Sequence, residues 1–179
     1  LWIVTALVGE AGCAPRAANK AADQAQIRTQ LAVDYFRGQR TEAALDEAHK
    51  ALQIDPENAD AYDLLGLIAL SQGAEYLRQA ETSSCLRGGD AEAVRRDAAG
   101  KFKEAEQHLR KATALRPTFA EAWNNLAVAA LQLESYDEAS VAAANALKDV
   151  SYPSPELARA NLGWAEFHKK KPKGAGRAL

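Results

Sequence analysis

The side chains that usually do chemistry are few in this sequence, and they are scattered. His49, His108 and His168 lie far apart, with no thiol or carboxylate at metal-ligand spacing around any of them. The two cysteines, Cys13 and Cys85, are too few for a disulfide framework. They are read as two separate thiols, with a bridge between them or to another molecule as the alternative. A phosphate-cradling loop needs a strand before it, and the sequence predicts no strand. Glu104-Ala105-Glu106 and Asp137-Glu138 read as solvated helix faces rather than paired catalytic carboxylates. The expectation is a protein that is not an enzyme, with no metal, no cofactor and no small-molecule substrate.

The elements around these residues follow from composition. Forty alanines in 179 residues, with 7% aromatics and few β-branched runs, favour helix over sheet. The 22 basic and 24 acidic residues are mixed along the chain and leave a net charge of −2. That excludes the concentrated basic field needed for nucleic acid. There is no methionine, not even an initiator, so the sequence is expected to be a fragment or a processed form.

Residues 1–8 are an apolar run too short to span a bilayer, which takes about 20 residues. Their length suits the apolar core of a signal peptide, and residues 1–12 are read as its remnant. Ala11-Gly12-Cys13 then resembles the lipobox of bacterial lipoproteins, although Glu10 stands where such motifs carry Leu. The resemblance implies cleavage before Cys13 and acylation of that residue, giving a stable membrane anchor. Ala14 rather than Asp after the cysteine implies the outer membrane. An ordinary cysteine after a short buried apolar segment is the alternative. Residues 13–26 show no apolar periodicity and are read as a lipidated tether.

Self-similarity organises the rest. Leu31, Ala32, Tyr35, Ala44, Ala48, Ala51 and Pro56 recur in type at fixed offsets as Tyr62, Leu65, Gly66, Ala69, Ala105, Leu109, Ala112 and Pro117. They recur again as Trp123, Leu126, Ala127, Ala130, Ala139, Ala143 and Ala146, and a fourth unit opens at Leu162-Gly163. Small residues mark close helix approaches, and Pro56 and Pro117 stop the second helix of a unit. Leu31 to Leu65 is 34 residues, and the pattern resembles the tetratricopeptide repeat. That resemblance implies an all-α, right-handed superhelix of helix–turn–helix units. The domain is expected over 27–179, with units at 27–58, 59–118, 119–153 and a partial, incomplete repeat at 154–179. Lys169–Lys173 is read as a solvated turn within the last unit, with a membrane-surface patch as the alternative.

Unit two is longer than the others. Its small position falls at Ala105, which is 27 residues beyond the place the period assigns it. The extra residues, about 74–100, are expected to form a helical hairpin with arms of roughly 20 Å. Tyr76, Leu77 and Ala80 would face Val94, Ala98 and Phe102, and Gly88-Gly89 would make the turn. A flexible loop is the alternative.

First helices of such repeats line a concave groove. The groove positions here hold Val33 and Phe36, Leu67 and Leu70, Val128 and Leu131, then Trp164 and Phe167. Every pair is apolar, which suits an amphipathic helix or apolar peptide. Packing of the same residues between neighbouring helices is the other reading. Chaperone-binding members of the repeat family place Asn where Val33, Leu67 and Val128 stand, so a carboxylate clamp is not expected.

A lipobox ahead of these repeats, the long link Asp149–Leu157 with Tyr152-Pro153, and then Ala160-Asn161-Leu162-Gly163 together resemble type IV pilus biogenesis lipoproteins of the PilF/PilW group. The alanine-rich sequence resembles myxobacterial members of the group. The resemblance covers roughly 13–175. It implies a pilotin, a lipoprotein facing the periplasm from the outer membrane that supports assembly of the pilus secretin. The partners it implies are the secretin subunit and the membrane, the latter through the lipid on Cys13. A general periplasmic scaffold that recruits other envelope proteins is the alternative.

Overall fold

The computed structural model describes residues 14–82 and 88–170, with side-chain surroundings for 20–82 and 90–170. Cys13, Cys85 and residues 1–12 and 171–179 lie outside the described residues. So do residues 83–87 of the expected hairpin, the proposed lipid anchor and the end of the lysine run. Among the described residues there are seven helices and no strand. They are α1 (Ala14–Arg37), α2 (Thr41–Ile54), α3 (Ala59–Thr82), α4 (Gly88–Leu115), α5 (Ala120–Gln132), α6 (Tyr136–Ala146) and α7 (Pro155–Lys169). None is long and apolar enough to cross a membrane.

The helices pair as α1 with α2, α3 with α4 and α5 with α6, and α7 packs on both α5 and α6. The small residues of the repeat hold the pairs together. Ala32, Ala44, Ala48, Ala51, Ala105, Ala112, Ala127, Ala139, Ala143 and Ala146 are all fully buried. Alanine strengthens a helix and lets two backbones approach closely, so a single residue type supplies both propensity and fit.

Turns inside and between units differ in chemistry. Units one and three reverse at Gln39 and Glu134, which hold positive φ of 59° and 56°. The amides of Arg40 and Ser135 reach back to the carbonyls of Tyr35 and Ala130, at 2.9 and 2.8 Å, closing a left-handed helix cap at each site. Between units, Pro56 and Pro117 follow the last turns of α2 and α4 and prevent continuation. Asn58 then caps α3, its Oδ1 accepting from the Ala61 amide at 2.9 Å.

Unit two has Gly73 at the place equivalent to Gln39 and Glu134, yet α3 runs through it to Thr82. The Phe102 ring of α4 lies directly on Gly73, and a methyl added there would sit 2.6 Å from Phe102 Cε1. Tyr76 and Leu77 continue the contact, packing on the core formed by Ala98, Phe102 and Ala105.

Three expectations change. Gly88-Gly89, expected to make the hairpin turn, are the first residues of α4. Residues 14–26, read as a tether, are helical and continuous with α1, and Ala25 is fully buried against Ala51 and Ala61. Lys169 belongs to α7 rather than to a turn, and it pairs with Glu166 at 3.1 Å and Asp137 at 3.2 Å.

Candidate protein-binding groove

Each first helix packs on the first helix of the next unit, α1 on α3, α3 on α5 and α5 on α7. Helical periodicity then places one stripe from each on a shared inner face. The eight apolar groove residues divide along that face. Val33 and Phe36 are half-buried against Leu64, Leu65 and Ile68. Leu70 is 8% exposed and belongs to the core with Phe102. Val128 and Leu131 are half-buried against neighbouring alanines. Leu67, at 36%, and Trp164 and Phe167, at 57% and 52%, remain exposed. The open apolar surface is therefore concentrated on α3 and α7, and the remaining positions support it from below.

A row of polar residues runs beside this stripe, at positions an apolar pattern does not mark. Asn125 Nδ2 on α5 donates to Asp63 Oδ1 on α3 at 3.0 Å. Asn161 Nδ2 on α7 donates to Asn124 Oδ1 on α5 at 3.0 Å. These bonds tie consecutive first helices together across the units. Asp63 precedes Leu67, and Asn124 precedes Val128, by four residues, so each lies one turn away on the same helix face. The signal was present in the sequence as polar residues at equivalent offsets in units two and three.

The electrostatics of the row are lopsided. Burial pushes the Asp63 carboxyl up to about 6, and Asp60 and Glu121 add to the rise, while the bond from Asn125 and the charge of Arg116 oppose it. Arg116 is already committed, paired with Asp60 and seated over the Phe119 ring at 3.9 Å. Tyr152, 7% exposed, is raised chiefly by burial and also by Glu121, Glu156 and Asp63. A protein that brings a cation to this region would find carboxylates without a matching base.

Two of the three histidines pack against aromatic rings, and His49 is exposed on α2. His108 lies 6.2 Å from the Tyr62 ring, and burial pushes its imidazole below the usual range. His168 is stacked on Tyr136 at 4.8 Å and tilted against Trp164 at 4.7 Å. Among the described residues no group of three His, Cys, Asp or Glu is placed to hold a metal ion. Elsewhere, a hollow of about 730 Å³ opens between α4, α5 and α6, floored by Trp123, Leu126 and Ala142 and rimmed by Arg110 and Glu138.

Residues 91–154 match the tetratricopeptide repeat family. The chain is similar to the type IV pilus assembly protein PilF of Pseudomonas aeruginosa, at 28% identity over 172 residues. The match takes in 92% of this chain and 58% of PilF, so the chain spans less than two thirds of the length of that relative. Among solved structures it is similar to the Arabidopsis OM64 TPR domain, with a TM-score of 0.54 and 18% identity, over 83% of this chain and 98% of that domain. Helix pairing, repeat match and structural likeness agree on the tetratricopeptide-repeat fold, an architecture that serves as a scaffold for protein interaction.

Proposed function

We propose that this chain is the repeat domain of a type IV pilus pilotin, a lipoprotein that holds a secretin subunit during assembly in the outer membrane. The observation that carries the reading is the similarity to PilF along nearly the whole chain, joined to an inner face on which Leu67, Trp164 and Phe167 stand open. An exposed apolar stripe between helices suits an apolar or amphipathic segment.

In this reading Cys13 is acylated and confines the domain to the periplasmic side of the outer membrane. Confinement raises the effective concentration of the secretin subunit, so a modest groove affinity suffices. Residues 14–26 run as helix into the repeats, a stiff link rather than a slack one. No catalytic step is required, because the domain acts by binding.

Deleting the gene tests the proposal. Heat- and detergent-resistant secretin multimers should disappear while the subunit is still made. Unchanged multimers would sink the pilotin reading and favour a general envelope scaffold. The anchor is tested separately by radiolabelled palmitate, which should enter the wild-type protein and not a Cys13→Ser variant.

A further inference from the structure

The inner face carries charge as well as apolar surface, and the two are in register. On α3, Asp63 lies one helical turn from the exposed Leu67. Its Oδ1 is occupied by Asn125, and neither Asp63 nor Glu121 forms an ion pair among the described residues. Arg116, the base in this region, is taken by Asp60. Asp63 is half-buried, at the foot of the turn that carries the exposed Leu67.

We infer that the segment docked on this face carries a lysine or arginine one helical turn from its apolar anchor, and that Asp63, backed by Glu121, receives the cation while Leu67 receives the anchor. This rests on the docking reading above and deepens it by giving the chemistry of the occupant, a basic–apolar segment rather than a purely apolar one. A cation seated there restores the favourable partner that Asp63 lacks in the free protein. It also supplies a register mark, since sliding a helix by one turn would remove the base from Asp63. An acidic or neutral segment of the same apolarity would leave the Asp63 carboxylate without a cation, so the site rejects as well as selects.

The test uses the full chain, labelled, on an array of 15-residue peptides tiling the pilus secretin, each with a counterpart in which every Lys and Arg is replaced by Gln. The binding peptides should contain a base, and their neutral counterparts should bind about tenfold more weakly, a difference of about 1.4 kcal/mol. Asp63→Asn keeps an acceptor for Asn125 and should abolish that discrimination, while Leu67→Asp should weaken both sets. Equal binding of charged and neutral peptides by the wild type overturns the cation inference and leaves the groove reading standing. Loss of discrimination by Leu67→Asp but not by Asp63→Asn likewise overturns the role of Asp63. Binding of no secretin peptide overturns the secretin reading and this inference with it.

Discussion

Leu109 occupies the space that the absent side chain of Gly66 leaves open, and a methyl built on Gly66 would lie 2.5 Å from Leu109 Cγ. The equivalent pair is Ala32 with Ala48 in unit one and Ala127 with Ala143 in unit three. Unit two therefore solves the same packing problem with one residue smaller and one larger, and Leu109 is fully buried as a result. The side-chain volume moves from both helices to one.

This exchange predicts a strong coupling. Gly66→Ala alone should destabilise by about 1–3 kcal/mol through overpacking. Leu109→Ala alone should cost about 2–5 kcal/mol through the cavity it leaves. The double variant recreates the alanine pair of units one and three and should be more stable than the sum of the single effects by roughly 0.5–3 kcal/mol. Chemical denaturation of the four proteins measures the cycle, and strict additivity would refute the pairing.

The insertion is predicted to be removable. Deleting residues 74–100 returns Gly73 to the position where units one and three turn, with Lys101 following as Arg40 follows Gln39. Glycine adopts positive φ without strain, so the shortened unit has the residue its turn needs. Circular dichroism should show a helical protein that melts cooperatively. A non-cooperative melt would make the long hairpin an integral part of the core.

The two left-handed caps give a smaller effect. Gln39→Gly or Glu134→Gly should stabilise by about 0.5–1 kcal/mol, since each side chain is held at a φ that disfavours it. Thermal melts of the single variants decide this, and a lowered midpoint would contradict the strained turn.

Asp63 should make stability depend on pH. Its folded pKa, about 6, lies above the ordinary carboxylate value of 3.8, so the folded state holds the proton more tightly than the unfolded chain. The resulting penalty is absent below about pH 4, grows between pH 4 and 6, and is complete above pH 6. Asp63→Asn should then stabilise by about 1–3 kcal/mol at pH 7.5 and by almost nothing at pH 4. Equal effects at both pH values would assign the change to packing instead.

Much of this architecture was legible before any coordinates. The period, the small positions and the prolines give the helix pairs, because alanine, glycine and proline each act through a strong local effect. The tether reading of 14–26 failed for an instructive reason. Absence of apolar periodicity does not mean absence of helix: alanine alone favours helix, Pro15 fits a first turn, and Ala25 needs only two other alanines to be buried. The groove was half legible. Leu67, Trp164 and Phe167 stand exposed, but Leu70 went to the core because the elongated α4 brings Phe102 alongside it. The Asp63–Asn125 and Asn124–Asn161 bonds depend on how neighbouring units stack, and periodicity within one unit does not report that.

The most direct measurement is a secretin-multimer gel from cells in which the native gene carries Leu67→Asp and Trp164→Asp, two exposed positions whose change spares the core. The account predicts loss of the heat-resistant multimer while the variant protein accumulates at wild-type level and keeps its helicity. A normal multimer with that variant present would contradict docking of the secretin on the inner face.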